Sequence, residues 1–120
     1  MWTWDQSEGN LTRDGVFVSA GYSGNGRGKN SPDMQAAVGT GPIPRGKWLM
    51  TNVKDSPNTG PFSIVLEPCV GTDTCGRSAF RIHGDSIKAP GTASHGCIIL
   101  PRFIREKVWK SGDHELMVVA

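Results

Sequence analysis

Apolar residues recur at every second position in short runs along this chain: Trp2 and Trp4, then Phe62, Ile64 and Leu66, then Phe80 and Ile82. A period of two buries one side of an extended segment and exposes the other, so each run predicts a strand. With 16 glycines and 8 prolines among them, the runs describe a mainly β domain with many turns and little helix. At 120 residues the chain fills one core and not two, and residues 1–120 are read as a single domain.

In chain order, the pattern predicts a hairpin in which Trp2 and Trp4 lead to a polar turn near Ser7-Glu8-Gly9-Asn10 and a return through Val16-Phe17-Val18-Ser19-Ala20. Tyr22 to Arg45, rich in Gly, Asn, Ser and Pro, reads as a long ordered loop. Its Gly24-Asn25-Gly26-Arg27-Gly28 run lacks the Lys-Ser/Thr pair of a phosphate-cradling loop. Strands are expected over Lys47 to Val53, Phe62 to Glu67 and Ala79 to His83. In the last of these, burial of Phe80 and Ile82 would turn Arg81 and His83 outward together. Ile98-Ile99-Leu100 is a short core segment, and Pro101 suits the first position of a helix in which Phe103, Ile104, Lys107 and Val108 recur at helical spacing, ending near Gly112. Glu115 to Val119 reads as a final strand able to pair in the middle of the sheet.

The formal net charge of +2 comes from charges scattered along the chain, which argues against nucleic-acid binding. No apolar stretch approaches the roughly 18 residues of a spanning helix, so no membrane partner is expected. Met1-Trp2-Thr3-Trp4-Asp5 lacks the basic start and apolar core of a secretory signal. Export by a dedicated system, release by lysis, or a leader outside this sequence is expected. Cys69 and Cys75 flank Val70-Gly71-Thr72-Asp73-Thr74 and could close a small disulfide loop in an oxidising compartment, while Cys97 stands apart as a free thiol.

Cys97 carries the chemistry. A thiol reacts as thiolate, and a free pKa of about 8.5 calls for a neighbouring base or cation. Two histidines are candidates: His95, two residues before Cys97, and His83, fourteen before it. Spacing alone does not choose between them. Gly96 lets a substrate carbonyl approach the backbone, where N–H groups at Gly96 and Cys97 could hold an oxyanion. Ser94 could orient a histidine ring or cap the local turn. Two other readings stand beside this one: a tight turn around a buried thiol, and a zinc site made by His83, Asp85, His95 and Cys97.

Arg81-Ile82-His83-Gly84 followed by Ser94-His95-Gly96-Cys97 resembles the signature of the YkuD-type L,D-transpeptidases: His-Gly, a spacer, then Ser/Thr-His-Gly-Cys. Gly41-Pro42-Ile43-Pro44-Arg45-Gly46-Lys47-Trp48 looks like that family's Thr-Pro-x-Gly stretch before a strand, and Gly112-Asp113 like its C-terminal end. Small size, the Tyr22-Ser23-Gly24 to Asn30-Ser31-Pro32 loop and the Gly-Pro-Ile-Pro-x-Gly motif look closest to small L,D-transpeptidase-like effectors of type VI secretion and their phage and bacterial relatives.

The resemblance implies a mixed β-sandwich with one short helix near the C-terminus. It implies Cys97 as nucleophile, His83 as the base that makes it a thiolate, Gly84 orienting the imidazole through its carbonyl, His95 shaping the pocket, and Gly96 and Cys97 as oxyanion donors. Ser94, Arg81 and Asp85 are the substrate-binding candidates; no cofactor and no metal are implied. The expected reaction is acyl transfer on tetrapeptide stems of peptidoglycan through a thioester, ending in L,D-carboxypeptidase cleavage, D-amino-acid exchange or L,D-transpeptidation. The implied setting is an antibacterial effector or lysis-type protein, monomeric, acting in the periplasm or cell wall, with an immunity protein as a further partner. A catalytically weak wall-binding module of the same fold is the alternative. Two departures stand out. Only ten residues separate His83 from Ser94, which trims the loop over the site, and Ile99 occupies the second position after the cysteine, often Arg or Asn in the family. Arg81 and Arg77 are the nearest basic residues that could supply the missing polar contact.

Overall fold

The alternating runs form strands, and two segments without such a run, Asn10–Arg13 and Tyr22–Ser23, the second at the start of the expected loop, complete the sheet. In a computed structural model describing residues 1–120, β1 is Trp2–Asp5, β2 Asn10–Arg13, β3 Val16–Ala20, β4 Tyr22–Ser23, β5 Gly46–Ser56, β6 Gly60–Pro68, β7 Arg81–His83 and β8 Ile98–Ile99; helix α1 is Arg102–Lys110, and β9 is Glu115–Val119. The predicted hairpin partner of β1 is corrected: β1 pairs with β2, and β3 follows as a third strand. Leu11 is the one fully buried residue of β2, too little apolar signal to announce a strand.

All nine strands belong to one hydrogen-bonded sheet in the order β3-β2-β1-β9-β5-β6-β7-β8-β4. It is mixed, with β1–β9 and β7–β8 parallel and the other pairs antiparallel. The final strand does pair centrally, between β1 and β5. The strands at the two ends of the order, β3 and β4, are consecutive in the chain and joined by Gly21 alone. A sheet whose ends meet in one residue has to curl over its own core. Gly21 is required there, because a Cβ would collide with the Ile99 carbonyl oxygen and the Leu100 side chain.

The enclosed core takes the inward residues of both halves of the sheet in one cluster: Trp2 and Trp4 of β1, Trp48 and Met50 of β5, Ile64 and Leu66 of β6, Ile82 of β7, Leu116 and Val118 of β9. Phe80 packs edge-on against Trp48 with ring centroids 5.0 Å apart. Each such side chain contributes about 1.5–3 kcal/mol on burial. Helix α1 closes the cluster with Ile104 and Val108. Its inner face is rotated from the one expected: Phe103 is 69 % exposed, while Arg105 is buried. Pro101 is the N-cap rather than the first helical residue, with ψ 152°.

Candidate active site

The parallel pairing of β7 with β8 places His83 opposite Ile99, so that Cys97, one residue before β8, comes back beside the strand that carries His83. The Arg81 backbone N–H donates to Cys97 Sγ at 3.3 Å, and the thiol faces the Ala79 carbonyl at 3.7 Å. Ala79 holds a left-handed φ of 64°, a strained backbone for a residue with a Cβ and a mark of functional turns. The outward turn expected of Arg81 and His83 occurs: Phe80 and Ile82 are in the core, and His83 faces a chamber of about 280 Å³ that it shares with Cys97, His95, Asn58 and Thr59.

His83 Nδ1 lies 2.9 Å from the Gly84 carbonyl oxygen. A carbonyl only accepts, so the ring proton sits on Nδ1 and Nε2 carries the free lone pair. Burial, with Arg105 and Arg81 adding to it against the Gly84 bond, holds the imidazolium below the ordinary 6.5. Burial also pushes the Cys97 thiol above its ordinary value, opposed by the Arg81 N–H and the charges of Arg81 and Arg77. Both directions favour the neutral pair over the resting thiolate expected from the sequence.

The turn that presents Cys97 is gripped carbonyl by carbonyl. Arg77 Nη2 donates to the His95 oxygen at 3.0 Å, Ser23 Oγ to the Gly96 oxygen at 2.8 Å, and Ser94 Oγ to the Cys97 oxygen at 2.6 Å. Ser94 Oγ also accepts from Gly24 N and Gly96 N. Ser94 is therefore a buried fastener that caps the turn and orients no histidine; its place among the substrate-binding candidates is corrected. The Gly96 N–H, expected to hold an oxyanion, is likewise committed to Ser94. The Cys97 N–H has no partner. What Gly96 supplies is room: its φ is 138°, and a Cβ would collide with the Arg77 guanidinium and the Phe80 ring.

Arg77 is not free for substrate. It is 8 % exposed, and besides His95 it donates to the carbonyls of Gln35, Gly41 and Pro42 while lying over Phe80. Asp85 is also engaged. Its carboxylate accepts from Tyr22 OH at 2.5 Å and from the N–H groups of Ser86 and Gly91, while Tyr22 OH accepts from Ala93 N. Tyr22 thus fastens both ends of the His83–Ser94 spacer, and Asp85, exposed on the wall of the neighbouring polar groove, holds the loop as well as facing that groove. The set weighed as a zinc site is not assembled, since no three His, Cys, Asp or Glu side chains converge. His95 is exposed and its Nδ1 sits 3.1 Å from the Gly39 oxygen. Cys69 and Cys75 are free thiols, half-buried on either side of their turn.

Residues 18–119 match the Tlde1 domain. The chain belongs to the Tlde1 domain family. This family comprises type VI effectors of L,D-transpeptidase-like character, in agreement with the resemblance carried by Ser94-His95-Gly96-Cys97. Among solved structures it is similar to an L,D-transpeptidase from Mycobacterium smegmatis at 17% identity and a TM-score of 0.47, over 99% of this chain and 58% of that one. The chain thus spans somewhat more than half of that protein's length. No curated protein matches it. Strands β1 and β2 precede the matched residues, although Trp2 and Trp4 sit at the centre of the core.

In this Tlde1 domain the Cys97 chamber is the middle of a longer trough. Through Asn58, Thr59, His83, Ala93 and His95 it adjoins a polar groove of about 720 Å³ that runs under the spacer past Gly84, Ser86, Lys88 and Thr92. Through Ser78, Ala79 and Phe80 it adjoins a cavity of about 440 Å³ lined by Lys54, Glu67 and Arg81. Arg105 backs the polar groove from beneath, donating to the carbonyls of Pro61, Phe62 and Leu100. Asn58 and Thr59, at the β5–β6 turn, form a wall that nothing in their sequence context marks. Ser23, Asn25 and Gln35 lie in the Tyr22 to Arg45 loop, where no local pattern marks them as partners of Gly96, Ser94 and Arg77.

Proposed function

We propose that this Tlde1 domain is a cysteine acyltransferase acting on tetrapeptide stems of peptidoglycan, with Cys97 as nucleophile and His83 as base. One observation carries this reading. His83 has its Nδ1 proton fixed on the Gly84 carbonyl, which leaves Nε2 as an acceptor in the same chamber as Cys97 Sγ.

In the first step Sγ attacks the carbonyl of the third stem residue as His83 Nε2 takes the thiol proton, and the Cys97 N–H receives the developing oxyanion. Collapse of the tetrahedral intermediate breaks the C–N bond. His83 returns the proton to the departing amine, D-alanine leaves, and a thioester remains on Cys97. Water then yields the tripeptide acid, a free D-amino acid yields exchange, and a neighbouring stem amine yields a cross-link. The trough is open along the trimmed spacer, which favours water and small amines. The setting that fits an effector of this family is the periplasm of a target bacterium, where the chain acts as a monomer and an immunity protein protects the producer.

Incubation of the purified protein with disaccharide-tetrapeptide and analysis by mass tests the reading. Release of D-alanine by the wild type, with a loss of at least about a thousandfold in Cys97→Ala, is expected. Equal behaviour of the two proteins would overturn it.

A further inference from the structure

Arg81 projects from the same side of β7 as His83 and lines the 440 Å³ cavity beyond Cys97 together with Lys54. Its Nη1 is buried and has no hydrogen-bond partner, although a guanidinium nitrogen withdrawn from water ordinarily finds an acceptor. Glu67 lines the same cavity, yet it forms no ion pair with Arg81 or Lys54; the only ion pairs are those of Met1, Arg13 and Lys47. The third cation of the lining, Arg77, is committed to carbonyls; the other two against one carboxylate, with a donor unanswered, describe a site short of an anion. The Arg81 backbone N–H reaches Cys97 Sγ, and the cavity meets the Cys97 chamber through Ser78, Ala79 and Phe80, so an anion held there lies across those three residues from the nucleophile.

We infer that Arg81 and Lys54 form a carboxylate subsite that binds the α-carboxylate of the D-amino acid leaving Cys97 or arriving there. The inference rests on the acyl-transfer reading and assigns the two ends of the trough. The stem peptide occupies the polar groove beside His83, and the small D-amino acid occupies the cavity beside Arg81. In exchange, the incoming amine attacks the Cys97 thioester, a C–N bond forms, the C–S bond breaks, and the amine's proton passes through His83 to Sγ. This reverses the release of D-alanine, so both amino acids use the same subsite.

The test uses alkylation and exchange on the full chain. Rates of carboxymethylation by iodoacetate and carbamidomethylation by iodoacetamide are read at Cys97 by peptide mass, and only their ratio is compared. Arg81→Gln should lower the iodoacetate-to-iodoacetamide ratio by about tenfold, as expected for loss of one charged hydrogen bond. Arg81→Lys should restore most of it. Exchange with D-methionine should show a KM raised by about tenfold in Arg81→Gln, while exchange with D-methioninamide, which lacks the carboxylate, should not distinguish the variant from the wild type. Unchanged ratios together with equal effects on acid and amide overturn the subsite and leave the acyltransferase reading standing. A ratio that falls in a protein releasing no D-alanine supports an anion subsite and overturns the peptidoglycan reading.

Discussion

Arg77 holds the carbonyl of His95, 3.0 Å from Nη2, and the same guanidinium occupies the space where any side chain at Gly96 would have to go. A buried cation and a glycine are thus two halves of one device that fixes the nucleophile turn. Gly96→Ala adds a Cβ to a backbone at φ 138° and drives it into Arg77. We expect about 1–3 kcal/mol of destabilisation in urea unfolding, and a fall of about a hundredfold in D-alanine release from the displaced Cys97.

Arg77→Lys keeps the charge but not the fork that reaches four carbonyls. Its D-alanine release should drop at least about tenfold through kcat, with KM for the tetrapeptide little altered. An equal loss through KM alone would show that Arg77 meets the substrate after all.

Ser23 receives the Ile43 N–H and donates to the Gly96 oxygen, fully buried. Ser23→Ala strands both groups, at a cost of about 1–3 kcal/mol. Thermal unfolding should show it, together with a lowered rate of Cys97 alkylation.

The pH dependence follows from His83. Its folded value lies below 6.5, so the base stays neutral in mildly acidic solution, and the acid limb of kcat/KM should have its midpoint below pH 6.5. Stability runs the same way. The folded state binds fewer protons at His83 than the unfolded chain does, so the contribution of this group is whole above 6.5 and is lost as pH falls through the folded value. Cys97 acts oppositely, because burial raises its folded value above that of a free thiol, and its contribution is whole below the free value and lost as pH rises through the folded value. Urea unfolding across the pH range checks both. An acid limb at or above 6.5 would contradict the burial of His83.

Tyr22 is held to about 12 by burial and by Asp85, so its phenol stays a donor at every pH used in such experiments. Tyr22→Phe removes the fastening between Asp85 and Ala93. The loss is about 1 kcal/mol of stability, and hydrogen exchange should quicken over residues 85–93 while the amides of β5 and β6 stay protected.

Much of this architecture was legible because the core residues alternate. Trp2 and Trp4, Ile64 and Leu66, and Phe80 and Ile82 point where period two sends them, and that pattern alone aimed His83 away from the core. The clamp was not legible. Arginine is ordinarily a surface residue, and nothing near Arg77 in the chain shows that its acceptors are carbonyls at positions 35, 41, 42 and 95. Arg105 hid in the helix for the same reason, since its partners lie in the β5–β6 hairpin and at Leu100. Long-range acceptance by backbone oxygen leaves no trace in local composition.

The pairing of β1 with β9 also sets the time at which the sheet can be completed. Residues 2–5 have no central neighbour until residues 116–119 have been made, and the ends of the sheet meet at Gly21 only after β8 is in place. Contacts of such high sequence separation fold slowly. Synthesis and completion of the sheet are therefore separate events, and the turn that carries Cys97 is fixed only once β9 has joined β1 and β5.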